Sequence, residues 1–194
     1  MIKKILIIIP VLLVLALVIK LTLVYFQQKS EFDFHTNIPN TIKLESADFI
    51  TEGMIPMECS GKGKELSPEL HWSNLPEGTR SLVLLMTDYD APAPFLKIMT
   101  IDHWTVYNIP IRIIALPKGS TSTALQKDSV NLGQNFKKGI EYKGPKPPIG
   151  MHNYYFRIYA LSAPHLNLNN PTKKEVMDAM KGSMLAYGEL RGRF

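Results

Sequence analysis

The sequence predicts a mainly β fold, a sandwich or Greek key, behind one N-terminal helix of membrane-spanning length. Three observations carry this. Short runs rich in aromatic and β-branched residues recur between Pro/Gly turns, as half-buried or buried strands require. The chain holds 14 prolines, which favour ordered turns over long helices. Stretches of helical periodicity are few, and the main one comes late.

The opening segment, residues 1–29, is of a different kind. Lys3 and Lys4 precede an unbroken apolar run from Ile5 to Ile19; Lys20 interrupts it and Leu21 to Phe26 resume it. As a helix this span is about 33 Å long, enough to cross a bilayer. Lys20 lies near the far end, where its stem can reach the interface, and Tyr25 and Phe26 suit the headgroup layer. The following Val24-Tyr-Phe-Gln-Gln-Lys-Ser30 offers no small-residue cleavage pattern and no Cys for lipid attachment. The segment therefore reads as an uncleaved signal anchor, with a cleaved signal and a secreted product as the alternative. The positive-inside rule keeps Lys3 and Lys4 in the cytoplasm, which puts the domain in the periplasm or outside the cell, anchored to the inner membrane. Residues 30–41 read as a linker and 42–194 as the domain.

The formal net charge of +5 is mostly a property of this leader. Residues 1–29 hold Lys3, Lys4, Lys20 and Lys29 and no acid, leaving 18 basic against 17 acidic residues beyond them. Such a domain has no broad basic face, so nucleic acid is not an expected partner. Cys59 is the single cysteine, which excludes an intrachain disulfide and a Cys-based zinc site and reads as a small buried residue.

Within the domain, Ile42–Ser46 alternates as a first strand, and Glu69–Ser73 follows Pro68 as a second. Ser81–Thr87 is nearly all apolar and ends at Asp88, the pattern of a strand covered on both faces. Asp102–Ile109 and Asn153–Leu161 are aromatic, β-branched strands. Pro117–Tyr142 lacks a strong period and reads as a long, partly ordered loop of the kind that carries function. Thr172 to Glu175 form a capping box for a helix through Val176, Met177 and Met180, ended by Gly182. Ser183–Leu190 reads as a further helical turn or two, and Arg191–Phe194 as a last strand.

Four places interrupt the apolar pattern with groups capable of chemistry. Asp88 and Asp90 directly follow a buried strand and share one side of an extended chain. His103 opens an aromatic strand. Gly144-Pro-Lys-Pro147-Pro148-Ile-Gly150 is a stiff loop. His152 and Tyr154 follow it on one face of a strand. Each has a plain alternative (a turn, a core histidine, a connecting loop), but their placement at strand ends beside stiff loops favours a common site.

The ordered set Cys59-x-Gly61, Ser67-Pro68-x-Leu70-x-Trp72, Asp88-x-Asp90-Ala91-Pro92, His103-Trp104, Gly144-Pro145-x-Pro147-Pro148-x-Gly150 and His152-x-Tyr154 resembles the phosphatidylethanolamine-binding protein family. The bacterial Raf kinase inhibitor-like branch is the nearest likeness, and Leu185-Ala-x-x-Glu189-Leu-x-Gly192 also fits it. The resemblance implies an antiparallel Greek-key β-sandwich with peripheral C-terminal helices. It also implies an anion pocket built from Asp88, Asp90, His103, Gly144, His152 and Tyr154, for phosphate-like ions or phospholipid headgroups. His103, His152 and Tyr154 could donate to an anion; Asp88 and Asp90 could orient an imidazole or meet an amine on the ligand. Tyr89 stands where the family usually has Pro, Lys146 where the branch often has Cys, and Lys143 where a small residue is usual.

The expected function is non-catalytic binding, with no cofactor and no metal. One alternative is an inhibitory module for a protease or kinase. Another is a His/Asp phosphoester hydrolase, with His71 as a recruit to a metal, although no G-x-S-x-G or H-E-x-x-H motif is present. The oligomeric state is open, a homodimer included.

Overall fold

The computed structural model describes residues 2–194, with side chains from Ile9 onward. Fourteen elements are used below in chain order of each type. Helix α1 spans Ile2–Asp33, and the strands begin with β1 (Lys43–Glu45), β2 (Leu70–Ser73) and β3 (Ser81–Asp88). A small hairpin, β4 (Pro92–Ala93) and β5 (Leu96–Lys97), precedes β6 (Ile101–Pro110) and β7 (Ala115–Leu116). Helix α2 (Ser122–Lys127), β8 (Asn131–Gly133), β9 (Asn153–Leu161), α3 (Lys173–Met180) and β10 (Met184–Arg193) complete the chain, with one 3-10 turn, η1, at Met57–Cys59.

Two antiparallel sheets form the body. The larger has the order β10-β9-β3-β6-β8 and the smaller β1-β2-β7. Within the larger sheet, β9-β3-β6-β8 places the fourth strand of the series beside the first, which is the Greek-key arrangement. Leu44, Leu70, Trp72 and Leu116 of the small sheet pack on Leu82, Leu84, Met86, Trp104, Val106, Phe156 and Ile158 of the large one. The other face of the large sheet is covered as well: Val83, Leu85, Tyr107 and Tyr159 meet Val176, Met177 and Met180 of α3, with Phe34 alongside. Every residue of β3 is therefore buried, which explains its unbroken apolar run.

Helix α3 begins where the capping box was expected. Thr172 accepts from the Glu175 backbone N–H, and the Glu175 carboxylate accepts from the Thr172 N–H. Two otherwise orphaned donors are thus satisfied, worth about 1 kcal/mol for the cap residue.

Three expectations are corrected. Ser183–Leu190 is not helical: Ser183 lies in a turn and Met184–Leu190 belong to β10, a ten-residue strand that runs on through Arg193, so α3 is the only C-terminal helix. Inward positions of β10 carry Ala186, Gly188, Leu190 and Gly192. A Cβ on Gly188 would lie 2.2 Å from the Ile42 carbonyl oxygen, so close backbone approach removes the apolar alternation that marks a strand. The stretch Pro117–Tyr142 is not simply a loop, since it contains α2 and β8, both too short to show a period. The presumed linker is partly helix: α1 runs to Asp33, and Phe34 and His35 pack on Tyr159.

Candidate functional site

The two central strands and β9 end together at one pole of the sandwich. Asp88, the last residue of β3, pairs with Ile101 of β6 on one side and Tyr154 of β9 on the other. Antiparallel pairing therefore brings the residue after a buried strand beside the residues that open two others. A cavity of about 170 Å³ lies here, lined by Asp88, His103, Gly144, Lys146, His152 and Tyr154 together with apolar walls from Pro92, Met99, Ile101 and Phe136. It is smaller than the roughly 300–1,000 Å³ of pockets for drug-sized ligands.

A bulge aims His103. Met86 pairs with Trp104 and Thr87 with Asp102, which leaves His103 as an extra residue on β6. Bulges of this kind redirect a side chain out of the ladder. The ring is then fixed by Lys143: His103 Nδ1 donates to the Lys143 carbonyl at 2.6 Å, and the Lys143 N–H donates to the His103 carbonyl at 3.1 Å. The other ring nitrogen, Nε2, is buried and has no partner. Burial holds the His103 pKa down at about 4, against a smaller upward pull from the Lys143 carbonyl. At neutral pH the ring is uncharged and Nε2 offers a lone pair.

His152 is arranged differently. Its Nδ1 lies 2.8 Å from Asp88 Oδ2, and its Nε2 lies 3.1 Å from the Ile149 carbonyl oxygen. The ring is fully buried. Both nitrogens thus face protein acceptors, so the expected free donor to a ligand is absent in this geometry. Burial raises the Asp88 carboxyl pKa, and the hydrogen bond from His152 opposes that rise.

Asp90 does not line the cavity. Its carboxylate pairs with Lys97 at 2.6 Å and accepts from the Asn153 backbone and side-chain nitrogens at 2.9 and 2.7 Å. Burial acts to raise its pKa, but Lys97 and Asn153 outweigh that and leave it below the ordinary carboxylate value. Asp88 and Asp90 therefore diverge: the Asp90 N–H donates to Asp88 Oδ1 at 2.7 Å, turning the chain between them. Asp90 ties the β4-β5 hairpin to the start of β9.

Gly144 is set by space. A Cβ there would fall 2.5 Å from the Cys59 carbonyl oxygen and 2.7 Å from the Gly61 nitrogen. The loop closes on this segment through the Gly61 N–H to the Pro145 carbonyl, 2.9 Å. Tyr142 adds its hydroxyl to the Cys59 carbonyl at 2.8 Å. Cys59 is buried as expected, and burial first, then Asp48, pushes its thiol pKa up to about 11.

Tyr154 stands between the two histidines, with ring centroids 5.2 Å from His103 and 6.4 Å from His152. Its hydroxyl is buried without a partner. Burial, followed by Asp88, raises its pKa, so it remains a donor across the physiological range.

Of the residues expected at the site, five line the cavity and Asp90 braces it from behind. Of the two departing lysines, Lys146 lies in the lining, while Lys143 pairs with Glu65 at 3.1 Å. His71 lies on β2 away from the cavity, with Glu69 2.9 Å from its Nδ1. Phe136 and Met99 were not anticipated. Phe136 is held by a turn in which Asn135 Oδ1 accepts from the Lys137 and Gly139 N–H groups; an apolar residue isolated in that polar stretch is the signal that could have found it.

A sequence model for the family described as phosphatidylethanolamine-binding protein matches residues 45–194. A UPF0098 protein of Methanothermobacter thermautotrophicus is 34% identical over 154 residues, covering 79% of this chain and 98% of that one. A UPF0098 protein of Aquifex aeolicus is 35% identical over 147 residues, covering 72% and 80%. The crystal structure of a putative phosphatidylethanolamine-binding protein homolog from Chlamydia trachomatis superposes with a TM-score of 0.71 at 32% identity, covering 80% of this chain and 97% of that one. Escherichia coli YbcL, described as a member of the mammalian family, shares the fold at a TM-score of 0.71 and 24% identity, over 79% and 98%.

Proposed function

Since the chain belongs to the phosphatidylethanolamine-binding protein family, we propose that it is a non-catalytic binding protein whose cavity takes a small anion, either phosphate or the phosphate of a phospholipid headgroup. One observation carries this reading: Tyr154 Oη and His103 Nε2 are both buried, both without partners, and both in side chains that line the same cavity. Buried polar groups are nearly always satisfied, and leaving one unmatched costs about 1–3 kcal/mol. A ligand that satisfies both recovers that cost on binding. The Tyr154 hydroxyl donates to a phosphate oxygen. His103 donates once protonated, and the exposed Lys146 ammonium adds charge at the mouth.

Support for binding over hydrolysis comes from the same groups. No Ser, Thr or Cys lines the cavity. His152 has neither nitrogen free, and His103, with a pKa of about 4, is a weak base at neutral pH. Helix α1 supports the reading of a signal anchor. From Ile9 it is long and apolar enough to span a bilayer, and it is almost wholly exposed there. On this reading the domain lies outside the cytoplasm on the inner membrane.

Calorimetric titration with inorganic phosphate and with glycerophosphoethanolamine tests the proposal, using wild type and Tyr154→Phe. Loss of a single hydroxyl donating to a charged oxygen should weaken binding about 10- to 100-fold. Equal affinity in the two proteins overturns the reading.

A further inference from the structure

The end of α1 does not leave the domain free to swing. Gln28 Nε2 donates to the Tyr89 carbonyl at 3.1 Å and lies 3.5 Å from Thr100 Oγ1. Tyr89 and Thr100 flank the β4-β5 hairpin, which forms one wall of the cavity. Further along, Phe32 packs on Tyr155 at 5.8 Å between centroids, and Phe34 and His35 pack on Tyr159 at 6.2 and 6.4 Å. Gln28 thus meets the segments beside the hairpin at the cavity pole, and the contacts of residues 32 and 34–35 then advance along β9 from Tyr155 to Tyr159. The chain leaving the apolar segment runs beside β9 in the same direction, starting at the cavity pole.

That direction has a consequence for the apolar residues around the cavity mouth. Phe95 is 80% exposed, and Leu96, Met99, Phe136, Ile149 and Met151 are exposed around it. They belong to one rim: Met99 and Phe136 line the cavity, and a Cβ on Gly150, between Ile149 and Met151, would meet the Pro94 ring at 3.1 Å. Lys137, Lys138 and Lys146 are exposed among them and form no ion pair among the described residues. Exposed apolar loops edged by basic residues suit the interface of an anionic bilayer.

We propose that the cavity mouth is held against the outer surface of the bilayer that α1 spans. The rim is set in the headgroup layer, so that the ligand is a lipid headgroup of that leaflet and not a free ion. Gln28 lies two residues past Phe26, about 3 Å further along the helix axis, and the hairpin bonded to it falls within the interfacial zone. This inference rests on reading α1 as a membrane span, and it narrows the source of the cavity's anion.

The test uses the full chain in vesicles of phosphatidylethanolamine and phosphatidylglycerol doped with a brominated phosphatidylcholine. Phe95→Trp places an indole on the rim. Ile111→Trp places one just beyond Pro110, at the far end of β6, where the native side chain is half exposed. The native Trp72 and Trp104 are buried and give a constant background. Bromine should quench the Phe95→Trp emission several-fold more than that of Ile111→Trp. Equal quenching, or none at position 95 in protein that floats with the vesicles, overturns the apposition while leaving the span intact. Protein that fails to float with the vesicles overturns both.

Discussion

Glu31, in the last turn of α1, lies with Oε2 2.6 Å from the ammonium of Lys173, 142 residues later, and the Lys173 side chain is almost fully buried. Asp102 at 2.6 Å and Thr87 at 3.3 Å complete the surroundings of the ammonium. The Tyr89 hydroxyl donates to the same Glu31 oxygen at 2.9 Å and accepts from Arg157 at 3.0 Å, while Arg157 also binds Glu189 at 2.7 Å. Tyr89 is thus one of the residues that fasten the helix to the sheet.

Removing Glu31 leaves a buried ammonium with one carboxylate fewer. Breaking a buried pair from one side costs about 3–5 kcal/mol, and the surviving Asp102 contact favours the lower end. Glu31→Ala should therefore lose about 3 kcal/mol in urea unfolding of the detergent-solubilised chain. The double variant Glu31→Met, Lys173→Met should recover most of it. A loss below about 1 kcal/mol in the single variant would show that the latch contributes little.

The anchor reading predicts an intact N-terminus. Gln28 and Glu31 follow the apolar segment and stay with the domain even if that segment is cleaved before Gln28, so the mass and not the latch decides between the two. The membrane-extracted protein should give an intact mass that includes residues 1–30. A mature form starting after Phe26 would contradict the anchor reading.

Proton uptake should accompany ligand binding. An unprotonated His103 cannot donate to a phosphodiester, and its pKa of about 4 must rise for it to do so. Calorimetry of glycerophosphoethanolamine binding at pH 6.5, in buffers of differing ionisation enthalpy, should show net uptake in wild type and close to none in His103→Gln. No uptake in wild type would mean that Nε2 accepts from the ligand's ammonium instead.

The empty protein should weaken in mild acid through the same residue. Its folded pKa lies below its unfolded value of about 6.5. The unfolded chain therefore binds the proton first as pH falls, and stability declines from about pH 6.5 down to about 4, where both states are protonated. The full loss is on the order of 3 kcal/mol. His103→Gln should flatten that slope in unfolding curves taken at pH 6.5 and 4.5. An unchanged slope would assign it elsewhere, with His35, also lowered to about 4 by burial and then by Arg157, as the next contributor.

Asp90 should behave as a brace. Asp90→Ala removes the Lys97 pair and both Asn153 hydrogen bonds, so unfolding free energy should fall by about 2–3 kcal/mol. Headgroup affinity should change less than in Tyr154→Phe. The reverse order in the two assays would put Asp90 among the ligand contacts.

The central strands were legible because their burial is unambiguous: β3 is buried throughout, and β9 begins and ends at the expected Asn153 and Leu161. That Asp88, His103 and Tyr154 line one cavity was legible because each lies at or near an end of such a strand. What stayed hidden depends on contacts between distant segments. Nothing in Gly188 or Gly192 announces that Ile42 and Ile55 press against them, so β10 could not be read as a strand. Nothing local to Glu31 points to Lys173. The divergence of Asp88 and Asp90 follows from a hydrogen bond within a turn, which an extended-chain reading places wrongly.

The cavity's modest size, about 170 Å³, sets what kind of traffic it can support. On the proposed reading, a lipid's headgroup enters while its acyl chains stay in the leaflet. Such a protein would inspect the lipids that diffuse beneath it and let them go where it found them. It would not shelter one for a journey through water between two membranes.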